Sequence, residues 1–324
     1  MSANGVHETY EQLLERLADA SVERGFSPYK DIDWDAPEFQ VKPNDDRWIL
    51  PEIDPLGRHP WYLAQPREKQ IAIGMYRQAQ VAKVGLQFEQ LLMAGFMEIL
   101  LKLPNRSAEA RYITHEVIEE CNHTLMFQRA VDSTGADARG FGPIFRRLAP
   151  VVPLLAWPSN SLFLMAVLAG EEPIDHIQKS YLRTNGDFHP IIKGVMRIHV
   201  AEEARHISFA HEYLRNHVPE INFAGRAFLS VAFPIALRIA GQLIVPPPPV
   251  FWEKFDIPDS VRKDLFWRSE DSKKTLAGYY SDVRMLAEEI GLMNPVSKRV
   301  WQVLGIAGRP SRYRSEPERA PKAA

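Results

Sequence analysis

Ile198-His199-Val200-Ala201-Glu202-Glu203-Ala204-Arg205-His206 is the stretch on which the reading of this chain turns, and Glu119-Glu120-Cys121-Asn122-His123 repeats its core. Each contains Glu-x-x-His. On an α-helix, residues three apart share a face, so carboxylate and imidazole converge on one point. Two such helices, each facing a helix that adds one glutamate, would form a bundle able to hold two metal ions. With 25 Glu and 10 His in 324 residues, roughly one such motif is expected by accident. Two are present, their histidines 83 positions apart, which leaves room for a connection and one intervening helix.

Composition sets the class around these motifs. Apolar residues make up 45% and charged residues 25%, the profile of a soluble globular chain. A net charge of −2 gives no bulk field toward nucleic acid or a membrane surface. One cysteine excludes an internal disulfide framework and any cysteine-ligated cluster, and fits a reducing, cytoplasmic setting. Met1 to Gly5 lacks the basic and apolar regions of a secretory leader.

Helical periodicity dominates from end to end, and no strand alternation or internal repeat is visible. Helices are expected over residues 7–25, from Pro66 to about Leu103, and from Ser107 to Val131. Another is capped by Ser159 or Asn160 and runs to about Arg183, and Pro190 opens the one carrying His199, Glu203 and His206. Between 26 and 65 the chain is rich in Pro and Asp. Trp34, Trp48, Ile49, Leu50, Trp61 and Tyr62 want burial, so this segment is expected to wrap the bundle. Phe228 to Val245 is apolar, but Pro234, Arg238 and Gln242 interrupt it, and a buried helix is expected rather than a membrane span. Residues 271–291 read as a helix. The expected organisation is one domain over 1–307 with a disordered tail over 308–324.

The site is built from these helices. His199, Glu203 and His206 fall within an arc of roughly 60° on their helix, and Glu120 and His123 share a face on theirs. Glu89 stands among Gly85, Leu92, Met93 and Phe96 on an otherwise apolar face, and Glu171-Glu172 follows the apolar run Leu162 to Gly170. A glutamate in either place is costly unless it is paired or bound to metal. Four glutamates neutralise two divalent ions in a low-dielectric interior, and mixed carboxylate and imidazole ligation suits iron or manganese better than a closed zinc site. Glu116, Glu119 and Glu202 read as supporting or surface carboxylates, and Asp175 as a group that could orient an imidazole.

Phe88-Glu89-Gln90-Leu91, Val117 to Thr124 and Ile198-His199-x-x-Glu202-Glu203-x-x-His206 resemble the p-aminobenzoate N-oxygenase family over roughly residues 55–215. The resemblance implies an all-α, ferritin-like four-helix bundle with added helices, holding two Fe ions. It implies Glu89, Glu120 and His123 mainly on one iron. Glu172, Glu203 and His206 would serve the other, with His199 as an additional ligand, and some glutamates bridging. Glu172 is preferred to Glu171 by ungapped matching back from His199. The implied reaction reduces O₂ to a bridging peroxide that N-oxygenates an aromatic amine to a hydroxylamine or nitro product. An external reductase would supply electrons, and a homodimer is expected. The alternatives are a di-iron desaturase or C–H hydroxylase, which would share the ligands, and a ferritin-like iron-binding protein. A radical-generating subunit is disfavoured, because Phe127 stands four residues after His123 where such proteins place tyrosine.

Overall fold

A computed structural model describes residues 8–184 and 186–316, with the side chain of Trp267 left aside. The described residues form helices joined by turns, with no strand among them. After α1 (Tyr10–Glu23) come the four helices of the bundle: α2 (Arg67–Leu100), α3 (Ala108–Thr134), α4 (Asn160–Arg183) and α5 (Pro190–His217). The chain continues through α6 (Phe223–Ile244), α7 (Glu270–Tyr279), α8 (Ser281–Glu289) and α9 (Pro295–Val303). Residues 1–7, 185 and 317–324, and with them the expected absence of a leader and part of the Asn185-Gly186-Asp187 turn, lie outside the described residues.

Local chemistry places the helix ends close to where the sequence puts them. Ser107 accepts the amide of Ala110 at 3.2 Å, and α3 stops at Gly135, whose φ of +63° is cheap only for glycine. Ser159 caps α4 in the same way, and Pro190 occupies the first turn of α5, where its missing N–H costs nothing.

Packing then sets the bundle's register. α2 lies along α3, α4 lies along α5, and the two pairs meet through α3 with α5 and α2 with α4. α2 and α4 interlock reciprocally. The Phe88 ring covers Gly170, where a Cβ would stand 1.9 Å from its Cζ, and the Phe163 ring covers Gly95 with a corresponding 2.1 Å. That antiparallel register brings Glu89 and Glu171 to the same level of the bundle.

The wrap behaves as expected, burying Trp34, Trp48, Leu50 and Tyr62, while Trp61 and Ile49 are partly covered. Three expectations need correction. The helix anticipated over 271–291 breaks at Tyr280, whose hydroxyl donates to the Leu237 carbonyl at 2.7 Å and so turns the chain. α6 buries Leu229, Phe233 and Leu237 but leaves Phe223, Phe228 and Ile239 exposed, so only one face is in the core. The stretch Phe223–Lys254 is long and apolar enough, by length and composition, to cross a membrane. Finally, residues 308–316 are not a loose tail. Asp282 accepts from the Ser311 hydroxyl and the Ser315 amide, Glu316 pairs with Arg309 and Arg312, and Arg314 donates to the Ala204 carbonyl on α5 at 2.8 Å. These polar ties compensate for the low hydrophobicity from which disorder is inferred.

Candidate metal centre

Glu89 on α2, Glu120 and His123 on α3, and His199, Glu203 and His206 on α5 meet in the bundle interior, none more than 1% exposed. His123 Nδ1 lies 2.9 Å from Glu120 Oε2 and 3.5 Å from Glu203 Oε1. His206 Nδ1 lies 2.9 Å from Glu120 Oε1 and 3.2 Å from Glu203 Oε1. His199 Nε2 approaches Glu89 Oε1 at 3.2 Å and Glu203 Oε1 at 3.6 Å. Donor atoms of Glu89, His123, His199 and Glu203 all lie within 4.8 Å of one another, as do those of Glu116, Glu120 and His206.

The chain matches the p-aminobenzoate N-oxygenase AurF family over residues 7–291. It belongs to that family. It is also 55% identical over 310 residues to uncharacterized proteins of Mycobacterium bovis and Mycobacterium tuberculosis, an alignment covering 96% of this chain and 91% of each relative. The AurF family is di-iron, and the buried glutamate and histidine clusters are groups that could hold metal ions.

The doubled glutamates of the two AurF motifs have a structural reason. Each motif's first glutamate serves the other motif's histidine. Glu202 Oε2 stands 2.8 Å from His123 Nε2, and Glu119 Oε2 stands 2.7 Å from His206 Nε2. Both carboxylates are themselves anchored, Glu119 by Arg205 at 2.7 Å and Glu202 by the Phe26 amide at 3.1 Å. An Nε2–H held this way leaves Nδ1 of both rings as the lone-pair nitrogen facing the cluster.

Of the two adjacent glutamates on α4, Glu171 stands beside Glu203, Glu89 and Glu120, whereas Glu172, the one expected there, is turned to His211. Glu171 is fully buried, and its charge environment is set by burial, then by Glu203, Glu89 and Glu120. Glu172 is rotated by one residue, about 100°, and its Oε1 lies 2.7 Å from His211 Nε2, beside Lys179, Arg314 and Asp282 instead. Burial pushes the Glu172 carboxyl up to about 8 and the His211 imidazole down to about 3, so the two form a neutral pair sharing one proton. Asp175 does not orient an imidazole; it pairs with Lys179 at 2.6 Å. Cys121 is exposed, with its Sγ 3.4 Å from Met93 Sδ.

The unpartnered atoms of the interior test the fit of a metal pair. Among the described residues, Glu89 Oε2, both oxygens of Glu171 and Glu203 Oε2 are buried without a hydrogen-bond partner. Such groups are costly unless a cation or proton meets them. Burial, and then the neighbouring carboxylates, raise Glu89 and Glu171 well above the ordinary carboxylate range. Two divalent ions would satisfy the same atoms, so the residues fit the group. Against His199 and His123 lies the Phe127 ring, at 5.1 and 6.3 Å between centroids. Beyond it the bundle axis leaves a void of about 40 Å³, walled by Val84, Gly85, Phe127, Ile192, Val195 and Met196, with Gln78 and Gln178 as its polar groups.

Proposed function

We propose that this protein is a di-iron oxygenase that transfers oxygen to the nitrogen of an aromatic amine, with Glu89, Glu120, His123, Glu171, His199, Glu203 and His206 holding the irons. The observation that carries the reading is His199. It is a third imidazole, fully buried, one turn before Glu203 and in reach of Glu89. The bound irons would supply the electrons that activate O₂. Per turnover, an amine, O₂, two electrons and two protons give a hydroxylamine and water.

The chain's own residues set the conditions for that chemistry. Glu119 and Glu202 hold two imidazoles in one tautomer and orientation. The apolar walls around Phe127 on the His199 side suit an aromatic ring or O₂ better than an ion. A single cysteine cannot ligate an iron–sulfur cluster, so the electrons come from an external reductase.

The test is anaerobic reconstitution with Fe²⁺, followed by O₂ and a panel of arylamines, with products identified by mass spectrometry. Hydroxylamine or nitro products support the reading. Ring-hydroxylated or dehydrogenated products would replace it with the hydroxylase or desaturase alternative, and iron oxidation at a rate indifferent to every amine would point to iron binding alone.

A further inference from the structure

The two motif helices correspond position for position, brace one another's histidines reciprocally, and match for one turn beyond the motifs themselves. Glu119 corresponds to Glu202, Glu120 to Glu203 and His123 to His206, while the flanking helices contribute Glu89 and Glu171. One turn before Glu203 stands His199, and one turn before Glu120 stands Glu116. These two positions share a face with the glutamate that follows each of them.

Glu116 is only 1% exposed, and neither of its carboxylate oxygens has a hydrogen-bond partner among the described residues. One of them lies within 4.8 Å of donor atoms of both Glu120 and His206. The nearby Arg205 does not serve it, being directed to Glu119 at 2.7 Å and Glu202 at 3.6 Å. A buried carboxylate with two idle oxygens, aimed at a cluster of metal donors, is costly as a structural element.

We propose that Glu116 is a direct metal ligand, paired with Glu120 and His206 as His199 is paired with Glu203. This rests on the two-metal reading above and adds to it an asymmetry. Where one half of the centre contributes a neutral imidazole, the other contributes an anion. The ion beside Glu116 therefore sits in the more negative, more oxygen-rich surroundings, which favour a harder or more highly charged cation.

The experiment is titration of the full-length chain with Co²⁺ and Mn²⁺, read by calorimetry and by the visible spectrum of bound Co²⁺. The wild-type chain is expected to take two ions. Glu116→Gln, which keeps shape and removes charge, is expected to weaken one of the two by tenfold or more and leave the other within a few fold. The Co²⁺ absorption should intensify as that ion loses a ligand. Glu116→Asp, with the carboxylate drawn back by one methylene, should shift the same spectrum and weaken the same ion, and it decides the matter should the glutamine variant not fold. Two ions bound with wild-type affinity and an unchanged Co²⁺ spectrum in these variants would overturn the ligand assignment while leaving the two-metal reading intact. A wild-type chain that takes up fewer than two ions would overturn both.

Discussion

Glu202 on one bundle helix holds His123 on another, carboxylate oxygen to Nε2, at 2.8 Å. Its counterpart, Glu119 on His206, also carries the Arg205 ion pair at 2.7 Å. Replacing either glutamate by glutamine is expected to lower metal affinity by about 10- to 100-fold, the usual effect of losing a carboxylate behind a ligating imidazole. Glu119→Gln is expected to cost folding stability as well, because it leaves Arg205 buried without its main partner. Metal titration and chemical denaturation of both variants separate the two effects.

Adjacent glutamates on α4 should behave oppositely. Glu171→Gln is expected to reduce metal uptake without harming the metal-free fold, since it removes a crowded buried acid. Glu172→Ala should retain both metals but lose about 1–3 kcal/mol of stability by stranding His211. Metal stoichiometry beside urea midpoints for the pair reads this directly. Normal uptake by Glu171→Gln together with failed uptake by Glu172→Ala would reverse the assignment made from the geometry.

The interlock of α2 and α4 also invites a steric test. Gly170→Ala places a methyl group 1.9 Å from Phe88 Cζ, and Phe88 immediately precedes Glu89. Overpacking of this kind typically costs about 1–3 kcal/mol. Here the displaced ring is expected to move Glu89 too, so a fall in Tm should come with weaker metal binding. Gly95→Ala meets Phe163 instead and is expected to cost stability with a smaller effect on metal.

Acid sensitivity should have a source away from the metal centre. His189 is stacked on Trp48, with ring centroids 4.4 Å apart. Burial first, and then the Arg47 charge, hold its imidazole down to about 4 from the ordinary 6.5, although Asp45 pulls the other way. Between those values the unfolded chain binds the extra proton and the folded chain does not. The stability that neutral His189 contributes is therefore intact above pH 6.5 and is lost as pH falls toward 4. With solvent screening, the loss is on the order of 1–2 kcal/mol. Denaturation midpoints of wild type and His189→Gln across this window should show the wild type losing more stability than the variant.

What the sequence revealed, and what it withheld, follows from helical geometry. Three- and four-residue spacings carried Glu120, His123, His199, Glu203 and His206 to one face each, and an isolated acid on an apolar face exposed Glu89. Glu171 was hidden because Leu162 to Gly170 is apolar on every side. Periodicity therefore could not say which of two adjacent carboxylates faces inward, and Pro173 just beyond them gives no further guide. The signal for Glu116 was available in its four-residue offset from Glu120, matching that of His199 from Glu203. Surface glutamates share such offsets freely, so the offset alone leaves Glu116 reading as a supporting or surface carboxylate. The break at Tyr280 and the anchoring of residues 308–316 depend on partners far along the chain, Leu237 and Asp282, which no local pattern discloses.

The reciprocal bracing of His123 by Glu202 and of His206 by Glu119 makes each motif incomplete alone. A fragment carrying only α2 and α3 would contain Glu-x-x-His, yet its imidazole would lack the group that selects its tautomer. Competence for metal is thus a readout of correct docking between the two halves of the bundle, and an ion arriving early in folding would meet no finished nest to settle in.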